Sequence, residues 1–432
     1  MNCVPQVDSQ PIRLPEFCPK ASGLADRGVA LAQTLALLPQ LRTHYGITRI
    51  AETTYLDRTG IPTTSAIVPD SPDLLSVYSG KGATRESAMC SALMEAVERQ
   101  CAAAPSLPIF ETHVDVVMES LDLSVLGLLE TAKGTCIQCA PGTNLLTGSM
   151  IAVPLAMIQC PWFGPKLFAM TSTNGLASGN TLTEAIYHAL CEVIERHVWS
   201  MYHGRSHLVP RVFLGPQAAD LGLAREVCFP TGNPAVDSLA SKVQQAGLQL
   251  RALYLEEPPL PATMLATIFE RDASPPMAHM GFGSSLSPAH ALSRAITEAA
   301  QSRVVDIQAA REDVVRADAP KSKMADHGRR QTVAPHGRWY FDVPSQSIEL
   351  AEITDSSSAD LAVDLRRVLG SLSQYGAHCV AVVDLSPAGL PLNVVRVVVP
   401  ELETMLVDGR VGPRMNDLLN PFKFGGTEVR HA

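Results

Sequence analysis

Three stretches of the chain repeat an acidic spacing suited to work on phosphates. Residues 92–99 read Ala-Leu-Met-Glu-Ala-Val-Glu-Arg, residues 189–196 read Ala-Leu-Cys-Glu-Val-Ile-Glu-Arg, and residues 295–302 read Ala-Ile-Thr-Glu-Ala-Ala-Gln-Ser. The copies are offset by 97 residues (192 − 95) and then 106 (298 − 192), the mark of an internal repeat. On a helix turning about 100° per residue, Glu95 and Glu98 share a face with Ala88, Ser91, Ala92 and Arg99, while Met89, Leu93 and Val97 fall opposite. The second copy puts Glu192, Glu195 and Arg196 with Ala185, His188 and Ala189, against Ile186, Leu190 and Ile194. The third puts Glu298 and Gln301 with Ala291 and Ala295.

A single such face reads as solvated helix surface with local ion pairs. Three copies, each with alanine beside the acids, read differently: small neighbours let another body approach. Several carboxylates brought together repel one another unless a divalent cation lies between them, and magnesium shared with substrate phosphates is the natural occupant. Each acidic run follows a Gly-rich stretch: Ser79-Gly80-Lys81-Gly82, Asn174-Gly175-Leu176-Ala177-Ser178-Gly179-Asn180, and Gly281-Phe282-Gly283-Ser284-Ser285. Such stretches offer backbone N–H groups to phosphate, and Lys81, Arg99 and Arg196 can offset its charge. None matches a P-loop, and no protein-kinase signature set is present.

Periodicity supplies the elements that must hold these residues. Helical spacing is read over residues 23–43, 84–104, 182–202, 235–247, 288–310 and 360–375. Strands are read at Arg49–Leu56, Thr63–Val68, Leu74–Tyr78, Ile151–Ile158, Lys166–Thr171, Gln249–Leu255, Ala262–Phe269, Met277–Phe282, His378–Leu385 and Asn393–Val399. Helices and strands interleave, so the fold class is α/β (α+β). The polar segment 317–337 reads as a mobile loop, and the Gly-rich tail from Asp408 as only partly ordered.

At 432 residues, 46% hydrophobic and 18% charged, the chain can bury an ample core. A net charge of −9 speaks against a nucleic-acid partner, which favours a basic face. No apolar run reaches membrane-spanning length, and no secretory signal is read at the start, so the expected setting is the cytoplasm. Ten cysteines are scattered rather than framed. Cys136 and Cys139 form a CxxC with no second ligand pair, and are read as structural thiols.

Taken together, Ser79-Gly80-Lys81-Gly82 with Ser91-x3-Glu95-x2-Glu98-Arg99, the stretch Asn174–Asn180 with Glu192-x2-Glu195-Arg196, and Glu298-x2-Gln301-x-Arg303 with Arg311 and Asp313 resemble the three nucleotide-binding motifs of YcaO proteins. The resemblance, including Asn393–Glu401, spans most of residues 47–405, after an N-terminal segment (1–46) with a helix and before a C-terminal tail (406–432). It implies a YcaO-like fold in which three long helices converge on an ATP site beside mixed β-sheets. It further implies Mg2+ held by Glu95, Glu98, Glu192, Glu195 and Glu298. Nucleotide contacts would come from Lys81, Ser91, Arg99, Asn174, Arg196, Gln301 and Arg303, with Glu95, Glu195 and Arg196 carrying the chemistry.

YcaO enzymes use ATP to make a backbone amide oxygen a leaving group. A neighbouring Cys, Ser or Thr then gives an azoline, and external sulfide gives a thioamide. Azoline-forming members often end in a Pro-x-Pro-x-Pro tail, whereas the last proline here is Pro421. Gly46–Ala51 and Leu56–Pro62 are similar to YcaO proteins that work with a TfuA partner. The resemblance therefore implies thioamide formation on a precursor peptide or protein, with a TfuA-like protein and a homodimeric assembly as companions. The alternatives are an azoline-forming cyclodehydratase, a carboxylate-activating ligase, and an ATP-binding accessory protein.

Overall fold

The computed structural model describes residues 10–21, 26–168, 172–209, 224–270, 278–308 and 346–423. The segment 317–337 lies outside the described residues. The helices are α1 Leu31–Ala36, α2 Leu38–Tyr45, α3 Arg85–Ala103, α4 Val114–Met118, α5 Leu155–Ile158 and α6 Leu182–His203. They continue with α7 Pro234–Gln245, α8 Pro288–Gln308, α9 Leu361–Gln374, α10 Met405–Asp408 and α11 Pro413–Lys423. The first strands are β1 Arg49–Glu52, β2 Thr63–Ile67, β3 Val77–Lys81, β4 Phe110–His113, β5 Cys136–Asn144, β6 Ser149–Pro154 and β7 Leu176–Gly179. Then come β8 Ala224–Val227, β9 Gln249–Leu255, β10 Ala262–Phe269, β11 Ala278–Ser285, β12 Gln346–Ile348, β13 Ala381–Asp384 and β14 Asn393–Val398.

These strands make three sheets. One is β1-β2-β3, the second is β4-β5-β13-β14-β7 with β6 paired to β5, and the third is β11-β10-β9-β8-β12. All pairings are antiparallel except β12 with β8. Each sheet carries one of the acidic helices: α3 lies on β2 and β3, α6 on β7 and β14, and α8 on β10 and β11. Their heavy residues anchor three apolar cores. Leu93 and Val97 belong to the first, Ile186, Leu190 and Ile194 to the second, and Leu292 and Ile296 to the third.

The three units close a ring. Strands β3, β7 and β11 are all sheet edges, and each is covered by the helix of another unit: β7 by α3, β11 by α6, and β3 by α8. An edge strand buried this way exposes no open backbone ladder. The arrangement also turns the acidic faces of the three helices toward a common centre.

The alanines have a different task from the one the sequence suggests. A Cβ on Gly80 of β3 would sit 2.1 Å from Ala92 N and 2.3 Å from Ala88 O. One on Gly283 of β11 would sit 2.1 Å from Ala291 O. The body that approaches so closely is therefore the preceding strand of the same unit. Glycine faces alanine because strand and helix backbones nearly touch.

Two further expectations change. The helix read over 23–43 is two short ones, α1 and α2, with Pro39 in the first turn of α2 where its missing N–H does no harm. The tail is not merely Gly-rich coil: the buried Glu403 carboxylate accepts from Gly412 N (2.8 Å) and Met415 N (2.9 Å), which caps the start of α11. Upstream, Cys18 O accepts from Leu361 N (2.7 Å), and Lys20 N donates to Ala359 O (2.9 Å). The N-terminal segment is thereby laid along α9 before it delivers Asp26 and Arg27 to the ring's centre.

Candidate active site

At that centre is a cavity of about 760 Å³. Its floor is acidic: Glu95 and Glu98 from α3, Glu192 and Glu195 from α6, and Glu298 from α8. Lys81, Ser91, Arg99 and Arg196 also line it, so the structure gathers most of the residues singled out in the sequence. The ends of the helices help. Thr84 and Ser87 form a reciprocal cap at the start of α3, and both line the cavity with Ser287 and Ala289 at the start of α8. Free N–H groups at helix starts favour anions.

The repeat also places equivalent residues in different roles. Counting back four from the first acid of each copy gives Ser91, His188 and Arg294, all in the cavity wall. In two of the three seams the side chain three residues past the first acid meets the strand of the neighbouring unit. Glu98 accepts from Ser178 N (2.8 Å) and Ser178 Oγ (2.6 Å) on β7. Gln301 donates to Ser79 O (2.5 Å) on β3. On β11, the Phe282 ring packs on Trp199 of α6 at 4.4 Å between centroids. Glu195 is 1% exposed, with Oε2 lacking a partner and Oε1 3.6 Å from Arg196.

Charge is poorly balanced on the floor. Burial, with Glu95 beside it, pushes the Glu98 carboxyl up to about 8 against the opposing Ser178 hydrogen bonds. Burial likewise raises Glu192 to about 7, although Arg196 pulls the other way, and it raises Glu195. Burial alone would raise Glu298 too, but Lys81, Arg196 and Arg294 hold it below the usual carboxylate range. Lys81 bonds Glu298 directly across the β3–α8 seam.

Three expected contacts are placed elsewhere, and a fourth is already engaged. Arg303 points away from the cavity: its Nε meets Asp57 at 2.8 Å and its Nη2 meets Glu270 at 2.7 Å, tying the loop after β1 to α8. Its position, five residues past Glu298, turns it off the acidic face. Gln301 is spent on β3, and Asn174 lines a second, smaller chamber. Arg99 does line the cavity, yet its guanidinium makes a two-pronged pair with the buried Asp73 at 2.7 and 2.9 Å. Arg311 and Asp313 lie outside the described residues.

Asp26, Arg27, His290 and Arg294 also line the cavity and were not singled out in the sequence. His290 Nε2 lies 3.3 Å from Asp26 Oδ2, and His188 Nε2 lies 2.9 Å from Asp26 O. Burial holds His188 down at about 3 and lowers His290, so both imidazoles are neutral. Arg294 carried a readable signal, lying one turn before Glu298. Asp26 and Arg27 carried none, because only the fold of the N-terminal segment brings them here.

Among the described residues, no three carboxylate, imidazole or thiol groups close around a single point. A hard divalent ion would then complete its shell from phosphate oxygens and water, as Mg2+ usually does. The proton-loaded acids and the partnerless Glu195 oxygen suit such an ion, so the donor set fits Mg2+ carried in with a nucleotide. Glu95, Glu98, Glu192, Glu195 and Glu298 would hold it.

Known proteins resemble the chain in sequence and in fold. The family model described as YcaO cyclodehydratase, ATP- and Mg2+-binding, matches residues 79–403. An uncharacterized protein of Methanothermobacter thermautotrophicus is 37% identical over 402 residues, covering 90% of this chain and 98% of that protein. A protein from the tfuA 3′ region of Rhizobium leguminosarum bv. trifolii is 29% identical over 411 residues, covering 88% and 89%. The solved YcaO of Methanopyrus kandleri, bound with AMPPCP and Mg2+, superposes with a TM-score of 0.67 at 22% identity, covering 89% and 95%. A heterocyclase in complex with substrate and cofactor superposes with a TM-score of 0.72 at 20% identity, covering 96% of this chain, which spans only 57% of that one. The mixed α/β ring, its acid-floored cavity and the match over residues 79–403 lead to one conclusion: the chain belongs to the YcaO family of ATP-dependent, Mg2+-requiring enzymes.

Proposed function

We propose that this enzyme phosphorylates the oxygen of a peptide or protein backbone amide and then replaces that oxygen by sulfur, giving a thioamide with the help of a TfuA-like partner. The observation that carries the sulfur branch is the relative from a tfuA 3′ region, which aligns over nearly the whole chain. The bound nucleotide supplies an electrophilic phosphoryl group, and Mg2+ neutralises the charge that gathers on it.

The chain's own residues position and shield. Glu95 and Glu195 stand on facing helices and would anchor metal ions from two sides, with Glu98, Glu192 and Glu298 completing the acid set. Arg196, at the cavity wall beside Glu195, would take up charge growing on the transferring group. Lys81, Ser91 and Arg294 would hold the remaining phosphates. Arg99, locked to Asp73, contributes a fixed positive charge rather than a mobile clamp. Gln301 and Arg303 act on the scaffold, by joining β3 and the Asp57 loop to α8. The cysteines among the described residues are all unpaired thiols, which suits a cytoplasmic setting.

A second reading, azoline formation by a cyclodehydratase, is favoured by the description of the matching family. Both share the activation step and differ in the nucleophile. Intact mass of a precursor peptide after incubation with enzyme, TfuA-like protein, Mg-ATP and sulfide separates them. A gain equal to sulfur minus oxygen supports the thioamide. Loss of one water moves the enzyme to the azoline branch.

A further inference from the structure

Arg196 differs from Lys81 and Arg99 in how it is held. Lys81 is bonded to Glu298, and Arg99 is forked onto Asp73. The Arg196 guanidinium has Glu195 at 3.6 Å, beyond hydrogen-bond length, and its side chain makes no hydrogen bond among the described residues. Yet the carboxylates of Glu195, Glu298, Glu192 and Glu95 all pull on it. A long cationic side chain in such company settles onto one of them unless something else holds it.

What holds it is a ring. Three residues along α6, Trp199 lies beneath the guanidinium, with Arg196 Cζ 5.7 Å from the ring centroid. That is within the reach of a cation–π attraction. Trp199 is fixed in turn from the third unit. Phe282 of β11, only 3% exposed, packs on it with 32° between the ring planes. The indole N–H is buried without a partner. A hydrogen bond therefore does not explain a tryptophan at this position, and the face of the ring does. Such a hold leaves chemistry available. A carboxylate that fixed Arg196 would occupy its N–H donors, whereas a ring face attracts the charge and leaves the donor fork free.

We propose that Trp199 is a positioning residue: packed on Phe282, it holds the Arg196 guanidinium off the floor carboxylates and keeps its donors free for the transferring phosphoryl group. Trp199 is not among the described lining residues of the cavity, so it acts through Arg196. The inference rests on the reading of Arg196 as the residue that takes up charge in phosphoryl transfer. It does not depend on which nucleophile follows.

Fluorinated tryptophans placed at position 199 test this with little change of shape. Each fluorine withdraws electron density from the ring face and weakens its hold on a cation. ATP turnover, measured with precursor peptide, TfuA-like partner and sulfide, should fall stepwise from one fluorine to three, to about a tenth of the wild-type kcat. KM for ATP should stay within about twofold. A purely structural tryptophan gives a flat series, and that result overturns the proposal. Trp199→Leu should lower kcat about tenfold, while Trp199→Phe, which keeps a ring face, should stay within about threefold of wild type. Equal losses of kcat in these two variants, at equal unfolding free energy, also overturn it. Arg196→Met separates the inference from the reading beneath it. In that background fluorination should change nothing further. If Arg196→Met alone leaves ATP turnover intact, the role of Arg196 fails and this proposal with it. If Arg196→Met slows turnover while the fluorinated series stays flat, only the role of Trp199 fails.

Discussion

Binding of Mg2+ and nucleotide should expel protons held by the buried carboxyls of the cavity floor. Glu98, with its affinity for a proton pushed up to about 8, is about nine-tenths protonated at pH 7, and Glu192, at about 7, is half protonated. A metal ligand must be ionised, so seating the ion releases about 1.4 protons from these two carboxyls at pH 7 and about 0.1 at pH 9, to which the raised Glu195 carboxyl adds. Calorimetric titration with a preformed complex of magnesium and non-hydrolysable ATP analogue, run in buffers of different ionisation enthalpy, reads this number directly. Glu98→Gln should lower the release at pH 7 by about 0.9. A release near zero in the wild type, or one unchanged in Glu98→Gln, would refute the coupling between buried acids and metal. The same shifts fix a sign for stability. Between the ordinary carboxyl value of 4.5 and about 8, the ligand-free fold holds protons that the unfolded chain has lost. Its stability therefore falls as pH rises through that window, and bound Mg2+ with nucleotide should flatten the fall.

Glu95→Gln and Glu195→Gln should each cut ATP turnover by more than about a hundredfold, several kcal/mol of transition-state stabilisation, with circular dichroism unchanged. Arg303→Met leaves the buried Asp57 without its partner and should cost about 3 kcal/mol of unfolding free energy by urea titration. It should do so without a change in KM for ATP, since Arg303 is off the cavity. Gly283→Ala drives a methyl to 2.1 Å from Ala291 O, and the same titration should show a loss of about 3 kcal/mol or failure to fold. Mg2+ alone should bind weakly by calorimetry and tightly once nucleotide is present, because the acids do not close a cage by themselves.

Much of the scaffold could be read directly. Strands β9 and β10 begin and end where their alternation and flanking turns put them, and α3, α6 and α8 follow the repeat. The region from 105 to 148 could not. Strand β5 contains Pro141 and Gly142, which punctuate a sequence like a turn. In the fold, Gly142 serves close strand packing, since a Cβ there would lie 2.8 Å from Val153 Cγ2. The acids of the floor were legible because three copies share one spacing. Their inequality was not. It depends on which helix covers which edge, and on the partners each carboxylate meets there.

The central claim is that the amide oxygen itself leaves on phosphate. A precursor peptide carrying oxygen-18 in its backbone carbonyls, incubated with the enzyme, its TfuA-like partner, Mg-ATP and sulfide, tests it most directly by mass spectrometry of the released phosphate. Labelled phosphate in step with product is the predicted result. Unlabelled phosphate accompanying a modified peptide would contradict amide-oxygen activation and the account built on it.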